Sequence, residues 1–200
     1  KGERNYHIFY QLIDSMYCAP LQLQTASTYR FLHASGTFKV HGINDKQDFE
    51  QMLSAMSGLG FDQAEVDGVM HVVAGVLTLG QMGFEKAKVG EGTQRQEGCK
   101  LTAEGEPFAA DLARLWEVAE TAVRGAVTRR TIEVRGTGTE IPLKAAEAPE
   151  VCMAFAKTVY GKLFAWLVQR INAALGANGG GGGGQGRFLG VLDIFGFEIF

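Results

Sequence analysis

The strongest constraint on the fold is a long helical stripe that gives way to a run of glycine. After Pro142 and Pro149, Met153, Ala156, Tyr160, Leu163, Leu167 and Ile171 recur at spacings of three and four. That periodicity predicts the longest helix of the chain, reaching to about Leu175 with those residues facing inward and Trp166 alongside. Six consecutive glycines follow at 179–184, extended by Gln185 and Gly186. Each ordered glycine loses more backbone entropy than any other residue, so a flexible surface link is expected there. Residues 188–192 then form an apolar run, which predicts a strand inside a sheet covered on both faces.

Helical periodicity also dominates what comes before. Tyr6, Phe9, Tyr10, Ile13 and Tyr17 predict an amphipathic helix ending near Pro20. Residues 29–32 and 38–40 flank Ser35 and Gly36, which predicts a short extended or turn region. Asp45 opens a second helix with Phe49, Met52, Leu53 and Met56 on one face, ended by Gly58 and Gly60. Asp62 opens a third, because Glu65 three residues on completes a capping-box pair ahead of Val66, Val69, Met70, Val73 and Leu77. Gly68 and Gly75 inside it cost helix stability and are expected to allow close packing.

Residues 86–106 are charged, glycine-bearing and aperiodic, so a surface loop is expected. Pro107 suits the first residue of a helix carrying Phe108, Leu112, Leu115 and Trp116, and a shorter helix is expected over 120–127. Residues 128–140 are rich in Thr, Arg and β-branched side chains, which predicts a two-stranded exposed loop.

Several function classes are set aside by composition. A chain with 46% hydrophobic and 20% charged residues can bury a substantial core, and its net charge of -3 gives no basic footprint for nucleic acid. No stretch approaches the ~20 uninterrupted apolar residues of a membrane span, and no signal-like segment opens the chain, so a soluble protein without a transmembrane segment is expected. Cys18, Cys99 and Cys152 are odd in number, far apart and without metal-ligand spacing, which predicts reduced cytosolic thiols and neither a zinc site nor a cysteine catalyst. His7, His33, His41 and His71 form no cluster.

Chemistry concentrates in the last eight residues. The apolar run delivers Asp193, then Gly196 between Phe195 and Phe197, then Glu198. That order suits a γ-phosphate sensor: a carboxylate near a metal, a glycine whose N–H approaches phosphate, and a second carboxylate held for an ion pair. Two carboxylates capping a strand without any chemistry would leave the same pattern.

Residues 193–198 resemble switch II of the myosin motor domain. Residues 2–12 resemble the helix that follows switch I in that family. Residues 42–49, with Ala55, Met56 and 59–61, resemble its upper fifty-kilodalton region. Residues 153–164, with 166–168 and 170–172, resemble its long central helix, although Met153 and Phe155 stand where the family usually has Asp and Leu. The matches fall in family order and cover essentially the whole chain.

The resemblance implies an α/β P-loop NTPase fold of the myosin and kinesin-like motors. This chain would be a predominantly α-helical part of it with a few strands, including the switch II strand. Residues 1–178 would be mainly the upper fifty-kilodalton region, 179–187 a Gly-rich loop, and 188–200 the central-sheet strand, switch II and the start of the relay helix. The family's P-loop, switch I, converter and lever arm are not found in these residues, so these residues alone are expected to be inactive.

The implied function is actin-activated ATP hydrolysis in a cytoplasmic, cytoskeletal motor. ATP and Mg²⁺ would be the nucleotide and cofactor, and the actin filament the partner, with light chains or calmodulin on the lever arm. Asp193 would stand near Mg²⁺ through a water, Gly196 would donate its N–H to the γ-phosphate, and Glu198 would pair with a switch I arginine. The two-stranded loop resembles the family's actin-contacting loop named for cardiomyopathy mutations, which gives Arg129, Arg130 and Arg135 as contacts.

A regulatory position of the family, acidic or phosphorylatable, lies sixteen residues before the motif that here starts at Met153, which is Thr137. A phosphothreonine would add about -1.5 to -2 charges. Thr139 or Glu140 takes that role if the loop is shifted, and a plain turn residue between Gly136 and Gly138 is the alternative. Two other readings stand beside the motor. A kinesin-like or other P-loop NTPase accounts for the strand and switch but not for the helical matches. A non-hydrolysing actin-binding or helical interaction module accounts for the helices.

Overall fold

A computed structural model describes residues 3–34, 36–90, 95–134 and 136–176. In chain order these hold α1 (His7–Ile13), a 3₁₀ turn (Ala26–Thr28), α2 (Arg30–His33), α3 (Asp45–Gly58) and α4 (Gln63–Leu79). The antiparallel hairpin β1 (Phe84–Val89) and β2 (Gln96–Leu101) follows, then α5 (Glu106–Leu115) and α6 (Glu120–Thr128). A second antiparallel hairpin, β3 (Arg129–Val134) and β4 (Thr137–Pro142), leads into α7 (Ala148–Ala174).

The fold is assembled around α4. Its start is fixed by the predicted capping box: Asp62 Oδ1 accepts from the Glu65 N–H at 2.8 Å, and Glu65 Oε2 accepts from the Asp62 N–H at 3.0 Å. From Val73 to Leu79 every residue is buried, so the helix is covered all round, as a central core helix must be. α1, α5 and α7 pack on it. At Gly75 an added Cβ would lie 2.0 Å from Trp116 Nε1, so the missing side chain makes room for the indole at the end of α5. Gly68, expected to serve the same purpose, has nothing within 4 Å of such a Cβ.

A buried ion pair ties the start of the chain to α3. Arg4 donates to Asp45 at 2.7 and 2.9 Å, with both side chains nearly inaccessible, and its guanidinium lies 4.4 Å from the Tyr10 ring centre. Asn44 caps α3 by accepting from the Gln47 N–H at 3.2 Å. The expected starts of α3, α4, α6 and α7 agree with the structure, as do the ends of α3, α6 and α7, and Pro107 stands in the first turn of α5.

Four expectations are corrected and one is narrowed. The first helix ends at Ile13 rather than near Pro20, because Ser15 Oγ donates to the Leu12 carbonyl at 2.7 Å and accepts from the Tyr17 N–H at 3.1 Å, bending the chain away. Of the extended or turn region expected nearby, residues 30–33 take a helical turn, since Gln81 accepts from the Arg30 N–H at 2.7 Å and donates to the Thr28 carbonyl at 2.9 Å. Ser35 lies outside the described residues.

The expected loop over 86–106 contains most of a hairpin and the start of α5. Phe84 pairs with Leu101 and Lys86 with Cys99, and Cys99 and Leu101 are buried while Lys100 reaches out to Glu85 at 2.9 Å. On α7, Met153 is 48% exposed rather than inward, and the buried positions are Ala148, Cys152 and Ala156. Finally, α7 is long and apolar enough, by length and composition alone, to cross a membrane, contrary to the expectation that no segment is. Here its Tyr160, Leu163, Leu167 and Ile171 pack against the core cluster.

The three cysteines are free thiols. Cys99 and Cys152 are buried and Cys18 partly so, and burial pushes all three thiols up, Cys152 to about 12.

Candidate functional site

The hairpin β3–β4 grows directly out of α6. Thr128 Oγ1 donates to the Arg124 carbonyl at 2.6 Å in the last helical turn, and Arg129 then adopts extended backbone. At the other end of the ribbon the Leu143 N–H donates to the Thr128 carbonyl at 2.8 Å, and the Leu143 side chain is buried beside Cys99 and Ala148. The base is therefore anchored in a small apolar cluster. Beyond it, β4 runs exposed from Thr137 to Glu140, and Gly136 turns the chain at φ +78°, a conformation that favours glycine.

The register sorts the predicted contact residues onto two faces. Arg130 pairs with Ile141, Ile132 with Thr139 and Val134 with Thr137, so these positions share one face of the ribbon. Arg129 lies on the other, with Thr131, Glu133 and Glu140. Arg129 is engaged within the ribbon by Glu140 at 3.1 Å, an exposed pair of the kind that adds little stability. Arg130 and Thr137 are exposed. Thr139 shares the face of Thr137 whereas Glu140 does not, which separates the two substitutes for the regulatory position. Arg135 lies outside the described residues.

The first hairpin abuts the second, which the sequence reading missed. A Cβ on Gly98 would come 2.9 Å from Pro142 Cβ, so β2 and β4 touch there. A cavity of about 230 Å³ opens beside this contact, lined by Val89, Gln96, Cys99, Thr128, Arg129 and Glu140. The signal that could have found β1–β2 is the apolar alternation from Cys99 to Leu101, facing Phe84. A larger apolar groove of about 310 Å³ lies between α1, α3, α4 and α7, lined by residues that include Ile8, Met52, Leu59, Phe61 and Leu163.

Asp193, Gly196 and Glu198, with the whole of 177–200, lie outside the described residues. Among the described residues no group of three or more His, Cys, Asp or Glu is placed to hold a metal ion. The described part therefore offers an exposed ribbon and the small apolar cluster that supports it.

Residues 1–200 match the family model described as Myosin head (motor domain). Myosin-1 of Coccidioides immitis (strain RS) is 36% identical over 208 residues, covering 100% of this chain and 16% of that protein. Myosin heavy chain IB of Acanthamoeba castellanii is 36% identical over 203 residues, again 100% of this chain and 16% of the relative. Myosin ID heavy chain of Dictyostelium discoideum is 32% identical over 210 residues, with 100% and 18% covered. The chain thus spans less than a fifth of the length of these curated relatives.

The class that the matches define, in keeping with the helix-rich architecture, is a motor head of the P-loop NTPase-like kind. Within that class, the chain belongs to the myosin head (motor domain) family.

Proposed function

We propose that the protein carrying this chain is an actin-based motor that couples ATP binding and hydrolysis to movement along actin filaments at the cytoskeleton. The observation that carries the actin side is the β3–β4 ribbon, anchored at Leu143 and exposed beyond it, in a chain that matches the motor-domain family end to end. Arg130 and Thr137 on one face, and Arg129 on the other, would meet the filament, with Arg135 as a further contact. The neighbouring β1–β2 hairpin touches this ribbon where Gly98 meets Pro142 and supports it from the side. Light chains or calmodulin would bind a lever arm elsewhere in the protein.

Residues 1–178 are assigned mainly to the upper fifty-kilodalton region, 179–187 to a Gly-rich loop, and 188–200 to a central-sheet strand, switch II and the first turn of the relay helix. In this reading Asp193 orients a water on Mg²⁺, and Gly196 donates its backbone N–H to the γ-phosphate. Glu198 closes the site through an ion pair with an arginine supplied from outside these residues. Asp193 would be the residue of this chain that helps hold Mg²⁺, which would supply neutralisation of the charge that develops on the phosphates. Positioning by these three residues supplies catalysis by orientation and electrostatics rather than by covalent chemistry. Since neither the P-loop nor that arginine is among the 200 residues, the chain alone is expected to show no measurable ATP affinity, and tight binding by calorimetry would contradict this.

The test uses the full-length myosin. Glu198→Ala should leave ATP binding intact and slow single-turnover hydrolysis by about 10²–10³-fold, the scale of losing one positioned transition-state contact. Unchanged hydrolysis would remove Glu198 from the site. Thr137→Glu and Thr137→Ala should differ in actin-activated rate, whereas equal rates across actin concentrations would make Thr137 an ordinary turn residue. Actin binding in a wild-type protein without any ATP turnover would favour the second reading, a non-hydrolysing actin-binding module.

A further inference from the structure

The inward stripe of α7 is apolar from Cys152 to Ile171, and apolar contact has no direction. Leu163, Leu167 and Ile171 repeat every four residues, so sliding α7 by one turn, about 5.4 Å, would bring a side chain of similar size to each vacated position. Such one-turn ratchets between packed elements are a known mode of conformational switching. Something else must set where α7 stops.

Among the described residues, Arg170 makes the only side-chain hydrogen bonds from α7 to another element. Its Nε donates to Glu65 Oε1 at 2.8 Å, and its Nη2 donates to Glu65 Oε2 at 3.1 Å and to the Gly60 carbonyl at 2.6 Å. The guanidinium lies 4.6 Å from the centre of the Phe61 ring, which Trp166 meets edge-on at 6.1 Å. Glu65 is itself fixed, because the same carboxylate completes the α4 capping box through the Asp62 N–H. A planar fork meeting a carboxylate, a carbonyl and a ring face tolerates no slip along the helix.

We infer that Arg170 is the register pin of α7, a positioning residue that fixes how far along the core this helix stands. The consequence for function rests on the motor reading above. α7 follows the actin-facing ribbon at its start and precedes the proposed nucleotide-sensing residues 188–200 at its end, so its register sets how the two are coupled.

The test compares wild type, Arg170→Met and Arg170→Lys in the full-length myosin, each with spin labels on exposed Ser54 of α3 and Lys162 of α7. Wild type should give one narrow distance distribution. Arg170→Met should add a second population displaced by about 5 Å, one helical turn, while Arg170→Lys, which keeps the charge but not the fork, should fall between. Distributions that match wild type in both variants overturn the pin. If Arg170→Met fails to fold, Arg170→Lys decides alone. With actin, Arg170→Met should lower the ratio of activated to basal ATP turnover by about threefold or more, with basal turnover unchanged. A split distribution with an unchanged ratio overturns the coupling and leaves the pin. Absence of ATP turnover in wild type instead removes the motor reading, and the distances still decide the pin.

Discussion

α4 and α7 are both long and apolar, yet the structure uses them differently. Ten of the seventeen residues of α4 are buried, against Ala148, Cys152 and Ala156 in the twenty-seven of α7. Phe164 of α7 and Leu175 just past its end are 62% and 68% exposed. Hydrophobicity alone therefore does not decide burial. What decides it is how many elements stand around the helix, and α4 is surrounded while α7 has one covered stripe. Shape holds α4, through the Gly75 and Trp116 contact, whereas one directional clamp places α7.

Substitutions that treat the two helices alike should break this contrast if it is mistaken. The largest effect is expected for Leu77→Ala in the centre of α4, about 2–5 kcal/mol by urea unfolding, because a buried side chain leaves a cavity. Leu163→Ala, on the half-buried stripe of α7, should cost clearly less, and equal losses would dissolve the distinction. Next comes glycine. Gly75→Ala must push the Trp116 indole aside and should destabilise by about 1–3 kcal/mol. Gly161→Ala on α7, where nothing lies within 4 Å of the added Cβ, should stabilise by about 0.5–1 kcal/mol through helix propensity.

A smaller contrast concerns alkaline pH. The Tyr17 hydroxyl donates to Asp67 of α4 at 2.6 Å, and its pKa is pushed up to about 12, first by burial and then by that bond. Tyr160 of α7 is also pushed up to about 12, by burial and then by Tyr6. Both are raised above the unfolded value of about 10, so their contribution is complete below pH ~10 and lost as pH rises towards 12. Tyr17→Phe and Tyr160→Phe should each flatten that limb in a stability-against-pH series, Tyr17→Phe also losing the bond to Asp67. The smallest effect is expected for Phe164→Ser, within about 0.5 kcal/mol, because the side chain is largely in solvent already.

The sequence displays features that are local. Asp62 with Glu65, Pro107 and the Thr-rich and Arg-rich ribbon announce helix starts and a hairpin through contacts only a few residues apart. Non-local features stay hidden. The strands β1 and β2 are masked by Lys and Glu on their outer face, and no local signal gives their register. The end of α1 turns on one hydroxyl, Ser15. Met153 was placed inward because it opens the right spacing, but Cys152 one residue earlier occupies the buried position. Arg170 and Glu65 are 105 residues apart, beyond any periodicity. The pattern proposed as switch II is local too, contained in residues 193–198, and lies outside the described residues.

The sheltered thiols turn the chain into its own stopwatch. Cys18, Cys99 and Cys152 sit in the turn after α1, on β2 and on α7, and a thiol reagent attacks only the thiolate of an accessible cysteine. Cys18, partly accessible, should therefore react first, and Cys99 and Cys152 only when their own neighbourhoods open, so the order of labelling of those two in a pulse experiment reads out which part of the molecule loosens first.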